Sequence, residues 1–281
     1  MNFRKATQLE TPEIIALWRV VFGDSDDYIR CFIAHFEIEN CYVCEINTKI
    51  VAMAFALPTK LQSHSNFQKF KYLYACATHP DFQSQGIMKK LLETVYKEAC
   101  KENYAGVFLQ AINQSLAEYY QKLGFEAFFF REQSFYYNQY KKRGSLLVAP
   151  CELSEKSLCS LRLKLISPEN YYKKRTEKLK NQCFIDWDED FFQFLNETGT
   201  QFYEYGSTFF SFKTSTNNII VDELLGDAPH KQIATLLFKE LPDYEVVGIR
   251  SVGNGFCCGQ VKWCFQAKNH PKNGWLGFAM E

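Results

Sequence analysis

The stretch that decides the fold is residues 71–125, KYLYACATHPDFQSQGIMKKLLETVYKEACKENYAGVFLQAINQSLAEYYQKLGF. It begins with an apolar run over residues 72–78, which predicts a buried strand. After a break at His79-Pro80, apolar side chains return at helical spacing from Met88 to Ala99 and predict an amphipathic helix. A strand is therefore followed by a turn and then directly by a helix.

The second part of this stretch predicts another strand and another helix. The strand covers residues 105–111 and is again mostly apolar. Ser115 with Glu118 three residues later has the spacing of a capping box, which predicts the start of the helix. Gly124 ends that helix, because glycine readily adopts the left-handed backbone found at helix ends.

The turn between the first strand and its helix indicates an anion site. A helix that starts directly after a strand presents backbone N–H groups that have no partner within the helix. These groups and the helix dipole favour a phosphate, and Gly86 has no Cβ to keep an anion away from the main chain. Ordinary packing also produces such turns, so one glycine does not decide between the two interpretations.

Together these motifs resemble the GNAT superfamily of acyl-CoA-dependent N-acyltransferases. The family's turn reads Arg/Gln-x-x-Gly-x-Gly/Ala, and this chain has Gln83-x-x-Gly86-x-Met88. A later family segment matches Asn113, Ala117 and Tyr120-x-x-x-Gly124-Phe125. Met88 departs from the family pattern, but that position supplies a backbone N–H and tolerates a side chain that points away. The resemblance covers about half of the chain, to residue 140, and is most specific over residues 71–125.

The resemblance implies a mixed α/β sheet of the GNAT fold with acetyl-CoA as the donor. The strand that holds Cys76, Ala77 and Thr78 would splay from its neighbour near residues 109–113 and pair with pantetheine. The Cys76 N–H would face the thioester oxygen, and Asn113 would contact the pantetheine arm. The pyrophosphate would be held by the turn residues Gln83, Ser84, Gln85, Gly86, Ile87 and Met88.

Tyr120 matches the tyrosine that protonates the departing thiolate in many family members. A phenol suits this role because its pKa of about 10 is close to that of a thiol. The alternative is that Tyr120 is a packed aromatic side chain on a short helix, and its neighbour Tyr119 would lie roughly 100° around that helix. A general base is suggested by residue type alone, with a water chain as an alternative; the candidates are Asp24, Asp26, Glu37 and Glu132.

Composition excludes some classes of partner. The 281 residues permit one large domain or two of moderate size, and the formal net charge is zero. A neutral chain does not suggest binding to nucleic acid or to an anionic membrane. There is no apolar stretch of the roughly 20 residues that a membrane-spanning helix needs, and the N-terminus has no signal-peptide pattern. We therefore expect a cytoplasmic protein.

The cysteines and histidines do not predict a metal site. The 11 cysteines are scattered, and many lie in apolar strands, as expected for reduced core residues. Cys41-x-x-Cys44 lies in an alternating strand pattern without a second ligand pair at zinc spacing, and we interpret Cys257-Cys258 as structural too. The five histidines are dispersed.

The rest of the first half predicts a strand, two helices and a hairpin before the central stretch. The strand covers 3–7, the helices begin at Thr11 and Tyr28, and the hairpin pairs Cys41–Ile46 with Ile50–Leu57. Residues 59–70 are polar and predict a loop or edge. After Phe125, further strands are predicted at 127–130 and 134–137, with a turn at Glu132-Gln133. The acidic turn at residues 24–27 could meet a cationic amine, although a solvated helix cap explains it equally simply.

A polar break at Lys141-Lys142-Arg143-Gly144-Ser145 predicts a boundary between domains 1–142 and 143–281. Later helices are predicted at 155–164, 168–180, 191–195 and 229–239, with strands at 202–205, 208–213, 219–225, 245–250 and 261–266. This order repeats that of the first half and predicts a second, degenerate GNAT-like domain. Its turn, Leu225-Gly226-Asp227-Ala228-Pro229-His230, lacks the donor motif, so we expect that it binds no CoA and completes the acceptor cleft or supports the first domain.

Three functions are compatible with this sequence. The first is an acetyltransferase that acts on a primary amine of a small molecule or peptide in a ternary complex. The second is a non-catalytic protein that binds or senses acyl-CoA on the same scaffold. The third is a two-domain transferase that takes its acyl or aminoacyl group from another carrier, although the Gln83–Gly86 turn favours CoA. The acceptor is not identified, and the oligomeric state is left open, with a homodimer as one option.

Overall fold

The fold is built on one long mixed sheet whose strands come from both halves of the chain. The computed structural model describes residues 1–63, 66–139, 163–265 and 270–278. The strands are β1 Asn2–Lys5, β2 Cys41–Ile46, β3 Lys49–Ser63, β4 Asn66–Thr78, β5 Gly106–Leu109, β6 Glu126–Tyr137, β7 Lys164–Leu165, β8 Cys183–Asp186, β9 Gln201–Tyr205, β10 Thr208–Ser215, β11 Asn218–Leu225, β12 Val246–Val252 and β13 Phe256–Trp263.

The helices lie between these strands. They are α1 Thr11–Phe22, α2 Asp26–Phe36, α3 Ile87–Lys101, α4 Gln114–Lys122, α5 Pro168–Leu179, α6 Glu189–Glu197 and α7 His230–Glu240. Short 3-10 turns cover Gln8–Glu10, Ile38–Asn40 and Pro80–Phe82. Within the described residues, no helix is both long and apolar enough to span a membrane.

The order of the strands interlocks the two halves. Neighbouring strands follow the path β1-β2-β3-β4-β5-β13-β6-β12-β11-β10-β9-β7, and β8 pairs with the far end of β3. The last strand, β13, thus lies between β5 and β6 and is antiparallel to both. The approach to β5 is close, since a Cβ added at Gly106 would lie 2.7 Å from the Lys262 carbonyl oxygen.

Each half contains the same sequence of strand pairings. In the first half, β2, β3 and β4 are antiparallel, and β4 is joined to a parallel β5 through α3. In the second half, β9, β10 and β11 are antiparallel, and β11 is joined to a parallel β12 through α7. This similarity of order is the pattern that the sequence predicted for the second half.

Helices cover both faces of the first half's sheet. On one face, α3 buries its apolar side chains against β2–β5, and α4 adds Tyr120 to the same cluster. On the other face, α1 and α2 form a cluster with α5, α6 and the C-terminal segment. That second cluster is rich in aromatic rings, among them Trp18, Phe32 and Phe194.

A buried ion pair joins four segments of the second half. The side chains of Arg175 on α5 and Glu223 on β11 are both fully buried, with Nε and Oε2 at 2.9 Å. The Tyr171 hydroxyl and Trp275 Nε1 also donate to this carboxylate, at 2.9 and 2.6 Å. Arg175 Nη1 donates to the Ile185 carbonyl oxygen at 2.8 Å. These hydrogen bonds compensate the cost of burying the two charges.

Three local predictions were wrong. For residues 59–70, expected as a loop or edge, the loop alternative is wrong: 59–63 belong to β3 and 66–70 to β4, Leu61 is buried, and the end of β3 pairs with β8. No turn lies at Glu132-Gln133, because β6 is one continuous strand that pairs first with β13 and then with β12. Ser115 does not open α4; Asn113 caps it instead.

Two further predictions concern residues outside the described ranges. The polar break at 141–145 lies there, and so does most of the helix predicted over 155–164. Lys164 itself is described and belongs to β7. The remaining helices and strands lie close to their predicted places, although the strand expected at 261–266 begins earlier, at Phe256.

Candidate functional site

The strands β4 and β5 separate at the centre of the first half. They pair in parallel at three positions, the last of which is Tyr72 opposite Phe108. Beyond that point β4 continues to Thr78, with a bulge against β3 at which Ala75 has a φ of 49°. The segment of β4 with Cys76, Ala77 and Thr78 therefore does not pair with β5. The family resemblance implied a splay at this place.

The turn after β4 presents free backbone donors to solvent. Ser84 and Gly86 both have left-handed backbones, with φ of 61° and 73°. Gly86 caps α3 without a side-chain bond, and no atom lies within 4 Å of a Cβ added there. The first hydrogen bond of α3 runs from the Lys90 N–H to the Gly86 carbonyl oxygen. The N–H groups before Lys90 in the first turn therefore have no acceptor within the helix.

Side chains of the turn leave this surface open. Gln83 donates to the Thr78 carbonyl at 3.1 Å, and Gln85 donates to the Asp81 carbonyl at 3.3 Å. These two bonds tie the glutamine side chains to the main chain that precedes the turn. The first turn of α3 contains no acidic residue, and Lys89 and Lys90 are exposed there. The turn is therefore electrostatically suited to an anion.

Tyr120 and Cys76 belong to the same buried cluster between α4 and β4. Tyr120 is 8% exposed, and burial, with smaller effects of Cys76 and Tyr119, raises the pKa of its phenol well above the ordinary value. Burial raises the pKa of the Cys76 thiol to about 12. Both groups thus keep their protons at neutral pH. Tyr119 is half-buried, with its ring centroid 5.3 Å from that of Tyr120.

Asn113 has a structural role that the sequence did not predict. Its Oδ1 accepts a hydrogen bond from the Leu116 N–H at 2.9 Å, which makes it the N-cap of α4. The residue is exposed and lies beyond the end of β5, on the side where the two strands separate. The carboxamide oxygen of Asn113 is used to cap the helix, and the amide N–H groups of its side chain take no part in that hydrogen bond.

On the opposite face of β4, three polar groups gather beside the bulge. The hydroxyls of Tyr28 and Tyr74 are 3.1 Å apart. Burial raises the pKa of each tyrosine, and Asp24 adds a smaller effect. The Asp24 carboxylate also accepts a hydrogen bond from Trp18 Nε1 at 2.8 Å. Tyr74 lies two residues before Cys76. Of the four base candidates, Asp24 is thus the one that the structure brings to this position.

The other base candidates lie elsewhere. Asp26 pairs with Arg19 at the exposed surface, at 3.3 Å. Glu37 follows the end of α2 and lines a cavity of about 150 Å³ with Trp187 and Phe191. Glu132 lies in β6 opposite Ser251, where its side chain covers two glycines of the turn before β13.

The second half differs at the position equivalent to the donor turn. The Ala228 N–H is engaged by the Thr208 hydroxyl oxygen at 3.0 Å, and Pro229, which has no N–H, precedes α7. An open depression of about 860 Å³ lies between α7 and β9–β10, and it contains none of the predicted site residues.

The tyrosine pair was missed by the sequence argument. A usable signal was present, because Tyr72 and Tyr74 alternate along β4 and therefore face away from Leu73 and the α3 side. Tyr28 could not be connected to them, since it lies 46 positions earlier in the chain.

These features are accompanied by a match to a family model. Residues 2–128 match the model described as Acetyltransferase (GNAT) domain. Residues 2–128 form a GNAT domain. This match is confined to the first half, where the splayed strands and the glycine turn lie. A search of curated proteins finds no match.

Solved structures with the GNAT fold resemble nearly the whole chain. A GCN5-related N-acetyltransferase from Kribbella flavida has a TM-score of 0.70 at 11% identity, covering 93% of this chain and 70% of its own. One from Anabaena variabilis has a TM-score of 0.71 at 13% identity, with 94% and 73% covered. Eis1 from Mycobacterium abscessus has a TM-score of 0.63 at 10% identity, with 94% and 74% covered. At these identities the similarity establishes the fold.

Proposed function

We propose that this GNAT protein is an N-acyltransferase that moves an acetyl group from acetyl-CoA to a primary amine. The acceptor is a small molecule or peptide, and the amine attacks the thioester directly in a ternary complex. The observation that carries the proposal is the splay of β4 from β5, which lies between the open Gly86 turn and the apolar cluster that includes Tyr120 and packs against Cys76. Such a splay offers a channel that a pantetheine arm could follow.

The donor would bind along this channel through the main chain. Unpaired groups of the Cys76–Thr78 segment would pair with the amide groups of pantetheine. The turn from Gln83 to Met88 would hold the pyrophosphate through N–H groups at a helix start that lacks acidic side chains; the Gln83 N–H itself donates to the Pro80 carbonyl oxygen at 3.2 Å. Asn113 would direct its amide N–H groups toward the pantetheine arm, since its oxygen is engaged as the helix cap.

Tyr120 would act as the general acid. When the amine attacks, the bond between the carbonyl carbon and sulfur breaks, and the departing thiolate takes the phenolic proton. Burial keeps Tyr120 protonated at neutral pH, as a proton donor must be. The Cys76 N–H would polarise the thioester carbonyl, while the Cys76 thiol stays protonated and does not act as a nucleophile.

The acceptor would approach from the face of α1 and α2. Asp24 beside the Tyr28–Tyr74 hydroxyl pair would attract a cationic amine and accept its proton, directly or through water. The second half would act as a degenerate GNAT-like domain that borders this face through α6 and binds no CoA. Its blocked turn at Ala228 and Pro229 supports that role.

Calorimetric titration with acetyl-CoA tests the donor site. We expect micromolar binding by the wild type, and a loss of at least about tenfold in affinity for Gly86→Glu, because the new carboxylate would occupy the place of the pyrophosphate. Gly199→Glu is the matched control, since Gly199 also has a left-handed backbone and open space around it. Absence of acetyl-CoA binding by the folded wild type would contradict the proposal.

A further inference from the structure

A cysteine, a histidine and a glutamate meet where α2 packs against α6. Oε2 of Glu197 lies 3.5 Å from Sγ of Cys31 and 3.0 Å from Nε2 of His35. All three atoms lie within 4.8 Å of one another. Within the part of the chain that the structure describes, this is the one group of three such side chains close enough to hold a metal ion.

The two distances from the Glu197 oxygen are close to those in a tetrahedral cation site. With metal–ligand bonds of about 2.3 Å to sulfur and about 2.0–2.1 Å to nitrogen and oxygen, tetrahedral ligand atoms lie about 3.3–3.6 Å apart. The sulfur–oxygen distance at this site already has that value, and the nitrogen–oxygen distance needs to open by a few tenths of an ångström. The same Glu197 oxygen, Oε2, lies near both Cys31 and His35, so Glu197 would bind the cation through one oxygen.

The ligands are presented by well-packed helices. Cys31 and His35 are four residues apart on α2 and therefore lie on the same face. The Phe194 ring of α6 lies beside those of Phe36 and Phe32, with centroids 5.1 and 5.8 Å apart. These aromatic contacts hold the two backbones together, so that the three side chains meet without a metal being required for folding.

The site is accessible to an ion from solvent. The His35 side chain is 17% exposed and that of Glu197 is 54% exposed. Cys31 is half-buried beside them and carries a free thiol. An entering cation can thus exchange its waters for protein ligands stepwise while one water remains in the fourth position.

We propose that Cys31, His35 and Glu197 bind a divalent cation of the zinc class, with water as the fourth ligand. On binding, the Cys31 S–H bond breaks, its proton goes to solvent, and the thiolate forms a bond to the metal. Neutral His35 and the Glu197 carboxylate donate lone pairs, so thiolate and carboxylate together balance the two positive charges. A thiolate and an imidazole select such a cation over Mg²⁺ or Ca²⁺, which prefer oxygen ligands.

The consequence of binding is a clamp between the halves of the chain. Cys31 and His35 belong to α2, which also carries Tyr28, whereas Glu197 belongs to the second half. A bound cation would fix α2 relative to α6. This role is independent of the proposed acyl transfer, since none of the three ligands belongs to the donor site.

Cobalt titration of the metal-free full chain tests the site, because Co²⁺ bound to thiolate in a tetrahedral site shows a charge-transfer band and intense visible bands. We expect one cobalt per chain, displacement by zinc, and a higher melting temperature with zinc. Cys31→Ser should abolish the charge-transfer band, and His35→Gln and Glu197→Gln should weaken binding at least about tenfold.

Cys257→Ser is the matched control, because it removes another half-buried thiol, on β13, and should leave the titration unchanged. Circular dichroism confirms that each variant is folded. A folded wild type without a thiolate band would overturn the proposal and leave the three residues as an ion pair with a neighbouring thiol. A band that persists in Cys31→Ser would also overturn it.

Discussion

Tyr120 is the residue whose chemistry can be isolated most cleanly. Tyr120→Phe removes the phenolic proton and keeps the ring in its buried place, so we expect kcat to fall by about 10²–10⁴-fold. The dissociation constant for acetyl-CoA should change little. Steady-state kinetics combined with calorimetry measures both quantities once an acceptor amine has been found.

Tyr119→Phe is the control for this substitution, because Tyr119 is adjacent, half-buried and electrostatically coupled to Cys76 as well. It should retain turnover. If Tyr120→Phe turns over as fast as the wild type, proton donation by Tyr120 is excluded. If the wild type binds acetyl-CoA but acetylates no amine in a broad screen, the chain fits an acyl-CoA sensor better.

At the residue scale, the sequence predicted positions that depend on local backbone and missed those that depend on distant contacts. The turn at Gly86 and the helix that carries Tyr120 were predicted because both belong to a contiguous motif. The role of Asn113 as helix cap was missed because Ser115 has an equally good capping pattern two residues later. The pairing of Cys31 and His35 with Glu197 could not be predicted, since 162 positions separate His35 from its partner.

A cluster of charged side chains joins the first strand to the turn after it, and this cluster predicts that the stability of the fold depends on pH. Arg4 donates hydrogen bonds to Glu10 and Glu45, and its bonds to Glu10 lower the pKa of the Glu10 carboxyl from 4.5 to about 2. Because the folded-state pKa lies below the ordinary value, the stabilisation is present above about pH 4.5 and is lost as the pH falls toward 2.

Glu10→Gln should therefore lower the free energy of unfolding by about 1 kcal/mol at pH 7, since the cluster is partly exposed. The difference from wild type should vanish near pH 2. Urea denaturation between pH 7 and pH 2 measures this difference in the free energy of unfolding. Glu126→Gln is the control, because Glu126 is exposed. A difference that stays constant over this range would exclude the linkage.

The ion pair of Arg175 and Glu223 is a fully buried connection between elements of the second half. Arg175→Met leaves a fully buried carboxylate without its cation, which should cost about 3–5 kcal/mol of stability. Chemical denaturation measures the loss. Lys173→Met on the same helix is the control, because its pair with Glu169 is exposed to solvent and should contribute little to stability. Equal effects of the two substitutions would contradict this account.

At the scale of elements, periodicity predicted most helices and strands, and its failures have a common cause. The polar residues of β6 at 132–133 suggested a turn, but the strand continues through them because they pair with β12. The strand residues at 59–63 and 66–70 were missed for the same reason, because many of them are polar. The strand β8 is short, and the sequence contains no signal for its pairing with β3.

For the whole molecule, the position of β13 predicts that the two halves depend on each other. A chain that ends at residue 252 lacks the strand between β5 and β6, so the two parts of the sheet would face each other with unpaired edges. We expect such a chain to lose cooperative thermal unfolding. Phe256→Ser keeps the strand and changes only an exposed side chain, so it should unfold cooperatively. A cooperative transition in the truncated chain would contradict the prediction.

The same strand has a consequence for the order of events during synthesis. The ribosome releases β5 and β6 long before it releases β13, which must insert between them. Until then two strand edges stay exposed in the nascent chain, and such edges promote association with other chains. The contacts that complete the sheet also have a large sequence separation, which slows folding. Recovery of native protein should therefore depend on how well these edges are shielded while translation finishes.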